Sequence, residues 1–216
     1  MNKFGKISVT MVTAACVSSA VAEDWYVSDD MTYGEGIVSA GHRTNDLDAA
    51  CAKAESGTIW VKDGFICQSG GGRNLDGAVR ICIARGVTVR SESGYVDEAN
   101  GKGATIRGEL DMEAGESKYY LGDKSMRCVG FATLGGNSRL IGFVLENGSC
   151  NKQSDNAYGG GGVYGGARSH VVSNCVIRNC YAQRGGGAAH LTMVASVITA
   201  PVELVTIQVT FVSSAS

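Results

Sequence analysis

The chain has 216 residues, among them 31 glycines, eight cysteines and a single proline, and 44% of it is hydrophobic, which excludes wholesale disorder. Nineteen basic against 21 acidic side chains, a net charge of −2, exclude an electrostatic nucleic-acid binder. The glycine share is roughly twice the usual one and has no collagen-like period, so the composition favours a turn-rich β protein of one domain.

Residues 1–22 have the pattern of an export leader. Lys3 and Lys6 form a basic start, Ile7 to Val17 an apolar stretch, and Ala20-Val21-Ala22 a small-x-small cleavage site. The stretch is shorter than the about 20 residues a membrane span needs. Cleavage after Ala22 is expected, leaving a secreted or surface-displayed chain with no membrane span. That chain keeps Cys51, Cys67, Cys82, Cys128, Cys150, Cys175 and Cys180. Export permits disulfides, and an odd count leaves at least one thiol unpaired within the chain. Two pairings are candidates: Cys67 with Cys82, and Cys150 with Cys180. None of the cysteine spacings suits zinc, and no metal site is expected.

Thr44-Asn45-Asp46 offers cap residues, and Leu47, Ala50, Cys51 and Ala54 follow at helical spacing, with Ser56-Gly57 as the stop. Short β-rich runs come next: Thr58–Val61, Phe65–Cys67, Val79–Ile83, Val87–Arg90 and Ala104–Gly108. Further on, Leu140–Asn147, Val172–Asn179 and Met193–Ala200 resemble one another, with Leu140 aligned to Val172 and Val172 to Met193. Short strands recurring at such intervals, separated by glycine, asparagine and serine, predict a solenoid in which equivalent apolar positions stack inward. Asn147 and Asn179 end equivalent strands; they predict either a side-chain ladder or a pair of left-handed turns.

Two stretches carry a family resemblance. Thr44-Asn45-Asp46-Leu47-Asp48-Ala49-Ala50 through Gly57-Thr58-Ile59-Trp60-Val61-Lys62-Asp63-Gly64 resembles the cap and first coil of secreted pectin-lyase-like proteins. Gly142–Gly148 and Asn174–Asn179 are similar to the inner coils of that superfamily. Gly159–Gly166 and Gly185–Ala188 resemble the glycine-rich repeats of bacterial surface β-helices, polymorphic outer-membrane proteins among them. The resemblance spans residues 23–189 and implies an all-β fold: a right-handed parallel β-helix solenoid with a short N-terminal capping helix. It implies no single function, since the superfamily holds lyases, hydrolases, adhesins and stalks. Residues 190–216 depart from the pattern. Glycine stops at Gly187 and asparagine at Asn179, and Val205–Phe211 alternates like a strand. This tail is either a terminal strand over the open end or the mark of a truncated or frame-shifted chain.

Motifs for catalysis are sparse. A lyase of the resembled family would use calcium held by carboxylates, with an arginine or lysine as base. The acidic segment Glu109, Asp111, Glu113, Glu116 and Asp123, flanked by Arg107, Lys118 and Lys124, is the nearest match, and Arg107, Asp111 and Glu113 are its catalytic candidates; a solvated charged loop is the simpler reading. Asp29-Asp30 suits a turn, Glu146 and Asp155 stand alone, and His170 suits a partly exposed structural role. Tyr119, Tyr120, Tyr158 and Tyr164 lie in or near glycine-rich loops, where exposed rings would stack on sugars. The expected function is therefore a non-catalytic, adhesin-like surface protein that binds glycan or another extracellular ligand and needs no cofactor. The alternative is a polysaccharide lyase or glycoside hydrolase acting on acidic polysaccharide, with calcium under the lyase reading.

Overall fold

The computed structural model describes residues 24–71, 73–74, 78–115, 120–132, 137–150, 159–165, 170–182, 187, 189–191 and 198–199. The leader 1–22 and the alternating run 205–211 lie outside them. The one α-helix among the described residues, α1 (Leu47–Lys53), starts where the sequence predicts. The Asp46 side chain accepts from Ala49 N at 3.0 Å, and Leu47, Ala50 and Cys51 are buried. It ends at Ala54, ahead of Ser56-Gly57; Gly57 instead opens a strand at φ +88°.

The rest is β structure in three sheets, almost entirely parallel. The first sheet holds β1 (Trp25–Val27), β2 (Arg43–Thr44), β3 (Gly57–Val61), β7 (Val87–Ser91), β10 (Arg139–Ile141), β13 (Val171–Ser173) and β16 (Ile198–Thr199). The second holds β4 (Ile66–Cys67), β8 (Ala104–Arg107), β11 (Phe143–Glu146) and β14 (Val176–Arg178). The third holds β5 (Arg73–Asn74), β6 (Ala78–Ile83), β9 (Arg127–Phe131), β12 (Val163–Gly165) and β15 (Ala189–Leu191). β5 pairs antiparallel with β6; every other pairing of named strands is parallel. From β3 onward the chain visits first, second and third sheet in that order, and repeats the circuit through β15.

Register makes one core of these circuits. In the first sheet Trp25, Ile59, Val89, Leu140 and Val172 align in a column. Cys67, Ile106, Leu145 and Ile177 do so in the second, and Ile81, Val129, Val163 and Ala189 in the third. All belong to a single buried apolar cluster or pack against it. Helix α1 packs against β6, β1, β2 and β3, at the end of the sheets where the first circuit begins.

Two expectations change at the corners. Leu140–Asn147 and Val172–Asn179 are each two strands, not one. The first run breaks at Gly142 (φ +80°), between β10 and β11; the second breaks at Asn174 (φ +53°) and Cys175, between β13 and β14. Gly64 and Gly103 hold the corresponding corner of the earlier circuits, also left-handed at φ +81° and +93°, and Gly64 N donates to Gly103 O at 2.8 Å. The second change concerns spacing. Val172 does align with Leu140, but its next partner is Ile198, not Met193.

The connection 92–103, between β7 and β8, carries a 3-10 turn (Glu98–Asn100) and lies over later circuits. Asn174 Nδ2 donates to Gly94 O at 3.1 Å, and Arg178 Nη1 lies 2.9 Å from Glu98 Oε2.

Candidate functional site

The described part of the acidic segment is engaged in local contacts. Residues 109–115 and 120–126 belong to the connection from the second sheet to the third, pinched by the antiparallel bridge Glu109–Met126. Asp111 is buried inside this connection and organises its turns: Oδ1 accepts from Glu113 N at 3.1 Å and Oδ2 from Lys124 N at 3.4 Å. Glu113 is exposed and pairs with Lys124 Nζ at 2.5 Å. Arg107 is engaged elsewhere, as described below. Asp111 and Glu113 thus belong to one turn network around Lys124 while Arg107 pairs with Glu146, and among the described residues no group of three or more His, Cys, Asp or Glu side chains suits a metal ion. Glu116 and Lys118 lie outside the described residues.

The tyrosine candidates are also dispersed. Tyr119 and Tyr158 lie outside the described residues. Tyr120, half-buried in a left-handed turn at φ +53°, meets Tyr181 edge-on at 4.8 Å between centroids. Tyr164 is not a loop residue open to sugars. It lies in β12, is buried, and its face is covered by the Arg127 guanidinium at 4.4 Å. Arg127 is itself fully buried, with Nη2 at 2.9 Å from Cys150 Sγ and Nε donating to Gly159 O at 3.3 Å.

Neither proposed cysteine pairing is formed: Cys67 and Cys180 carry no disulfide. Cys67 belongs to the inward column of the second sheet. Cys82 sits between the buried Ile81 and Ile83 and so faces the other side of the third sheet. Burial pushes the Cys67 thiol up to about 12. Cys150 sits against Arg127, whereas the Cys180 thiol lies against the Arg178 and Leu145 carbonyls at 3.3 and 3.8 Å. Cys175 is a core residue, as expected, its thiol pushed up by burial to about 11. His170 is fully buried and not partly exposed. Its ring stacks on Phe131 at 4.4 Å and 8°, and neither ring nitrogen has a hydrogen-bond partner among the described residues.

Glu146, isolated in sequence, is the centre of a ladder across three circuits. The register aligns Arg107, Glu146 and Arg178 on neighbouring strands of the second sheet. Arg107 Nε donates to Glu146 Oε1 at 2.6 Å, and Arg178 Nε and Nη2 donate to Oε2 at 2.9 and 2.7 Å. Arg107 Nη1 continues to Gln68 Oε1 at 2.9 Å. Burial works to raise the Glu146 pKa, but the two guanidinium groups outweigh it and hold the carboxyl below its ordinary value. The repeat alignment contained this ladder, because it sets Glu146-Asn147 against Arg178-Asn179. Those two asparagines occupy left-handed turns at φ +58° and +51°, which is the second of the two readings given above.

A second strip lies on the outward face of the first sheet. Trp25, Val27, Ile59, Val61, Val89 and Ser91 point into the core, so the residues between them, Tyr26, Trp60 and Arg90, point out. They align on three adjacent strands, a strand spacing of about 4.8 Å apart. All three are half-buried. The Arg90 guanidinium lies 5.2 Å from the Trp60 ring centroid, and its shielded Nε has no hydrogen-bond partner. Trp60 Nε1 donates to Asp24 Oδ2 at 3.2 Å, and Asp24 Oδ1 accepts from Thr58 N at 2.9 Å, which fixes the indole against its own strand. Tyr33 meets Tyr26 edge-on at 5.1 Å. Burial, then the Glu92 carboxylate, pushes the Tyr33 phenol up to about 12, so it stays a neutral donor near neutral pH. Two glycines make room for the strip. A Cβ at Gly34 would overlap the Tyr26 ring, and one at Gly94 would lie 2.7 Å from Arg90 Nη2.

The strip brings together three aromatic rings and one guanidinium, with Tyr26, Trp60 and Arg90 held in line by backbone pairing. The signal for it was the in–out alternation of Trp25-Tyr26-Val27 and Ile59-Trp60-Val61. Among the described residues no helix is long and apolar enough to cross a membrane. Compared with protein-family models, curated proteins and solved structures, the chain matches none.

Proposed function

We propose that this chain is an exported right-handed parallel β-helix that holds an extended glycan against the outward face of its first sheet without cleaving it. The repeated passage through three parallel sheets in fixed register supports the solenoid. The right hand follows from the general preference of parallel crossovers. The observation that carries the ligand is the aligned strip Tyr26, Trp60 and Arg90 with Tyr33 against it. Binding is favoured over turnover because Arg107 is committed to Glu146, and Asp111 and Glu113 to a turn network around Lys124. Export rests on the leader at residues 1–22.

The chain has two tryptophans, and Trp25 is buried, so ligand-induced fluorescence change reports on Trp60. Titration with neutral and acidic oligosaccharides is expected to saturate, and Trp60→Ala to weaken retention on immobilised glycan by at least about tenfold, the loss of one stacking platform. Unchanged retention by Trp60→Ala would remove the strip from the proposal. Calcium-dependent release of unsaturated products from an acidic polysaccharide would replace the binding role with the lyase alternative.

A further inference from the structure

Seven cysteines in a chain with an export leader raise the question of which pair the register brings together. Cys128, in β9, turns its Sγ to the Glu146 carbonyl at 3.3 Å. Cys180 follows β14 and lies 3.8 Å from the Leu145 carbonyl, on the adjoining peptide of the same strand β11. The backbone between them is drawn tight. Tyr181 N donates to Gly148 O at 2.8 Å, and a Cβ on Gly148 would come within 2.9 Å of Cys128 Sγ. The two thiols feel each other: burial first, and then Cys180, pushes the Cys128 thiol well above its ordinary value. No other cysteine enters this group: Cys150 is against Arg127, and Cys175 lies against the Leu140 carbonyl and the Phe143 amide.

We propose that Cys128 and Cys180 are a disulfide site, oxidised by thiol–disulfide exchange with a small-molecule or protein disulfide once the fold has formed. Cys180 is half-buried and reacts first; Cys128 is enclosed and resolves. The Cys180 thiol gives its proton to solvent, and its thiolate attacks one sulfur of the oxidant RSSR. This forms a mixed disulfide and expels RS⁻. The Cys128 thiol then attacks Cys180 Sγ as its proton passes to the second RS⁻, which leaves. Two protein thiols are oxidised, one RSSR is reduced, and the two expelled thiolates take up the two protons. The bond would tie the start of β9 to the end of β14, two circuits apart, and close a loop long enough to restrict the unfolded chain strongly.

The test uses the full chain equilibrated with oxidised glutathione, followed by alkylation and a non-reducing tryptic map. Cleavage after Arg127, Arg139, Arg168 and Arg178 puts Cys128, Cys150, Cys175 and Cys180 on four different peptides. The expected result is loss of two titratable thiols, one crosslinked species joining the Cys128 and Cys180 peptides, and a rise in Tm of roughly 10 °C. Cys180→Ser should abolish the crosslink and the rise, whereas Cys82→Ser, on the third sheet, should leave both. A Cys150–Cys180 crosslink, or both thiols still alkylatable after equilibration, would overturn the proposal. The map of the unsubstituted chain decides this even where a variant fails to fold.

Discussion

His170 shows how much one side chain can set a condition on the fold. Its imidazole is fully enclosed, flat on Phe131, with no acceptor or donor for either nitrogen among the described residues. Burial therefore lowers its pKa below the ordinary 6.5. Below that ordinary value the unfolded chain binds a proton that the folded chain refuses, so stability rises with pH through this window and falls on acidification. Tm measured against pH is expected to hold above about pH 7 and to fall between about pH 7 and 5, with a slope of at most about 1.4 kcal/mol per pH unit. His170→Phe keeps the stacking and should flatten that slope. The same slope in the variant would assign the effect to another group. Glu146 acts with the same sign but lower on the scale: its carboxyl is held down by Arg107 and Arg178, so its contribution is lost as pH falls through the carboxylate range.

At the scale of elements, the corners decide which strands exist. Gly64, Gly103, Gly142 and Asn174 occupy one left-handed corner in four successive circuits. At Gly142 the demand is doubled, since a Cβ there would overlap Ser91 Oγ and lie 2.7 Å from Gly94 C and Tyr95 N. Gly142→Ala is expected to cost about 3 kcal/mol, left-handed strain plus overpacking, read from the shift of the urea midpoint. Gly36→Ala is the matched control: φ is +77° but nothing lies within 4 Å, so only the strain remains, about 1–2 kcal/mol. Equal losses at both sites would mean that the corner is not crowded.

These corners also explain what was legible in the sequence. Helix α1 was, because Asp46 and the spacing of Leu47, Ala50 and Cys51 are local signals. The apolar runs near Ile59, Ile81 and Val89 were legible as strands for the same reason. The breaks at Gly142 and Asn174 were not, since an unbroken apolar run does not reveal that its halves belong to different sheets. Glu146 looked solitary because its partners lie one circuit away on each side, at sequence distances no short motif spans. The cysteine partners were illegible on the same ground: Cys128, Cys150 and Cys180 differ only in register. Tyr164 was misplaced because tyrosine next to glycine marks a loop and a packed strand end alike.

At the scale of the whole molecule, each circuit mainly touches the one before and the one after, which makes the sheets additive in character. The Arg107–Glu146–Arg178 ladder follows that rule. The connection 92–103 does not. It leaves the circuit of β7 and β8, covers Gly142 in the next, and reaches Asn174 and Arg178 in the one beyond. Amide exchange is therefore expected to release β11 and β14 in one correlated step, visible as a single isotopic cluster by mass spectrometry. Independent release of β14 ahead of β11 would show that the connection carries no coupling.

That connection has a mechanical consequence. A chain held together only by adjacent layers peels under tension one layer at a time, each at a small force. With Gly94 and Glu98 clasping two later layers from outside, a load applied beyond β14 is shared by three layers at once. The terminal layers should then resist extension like a buckled strap, yielding in one large length step when Asn174 and Arg178 let go.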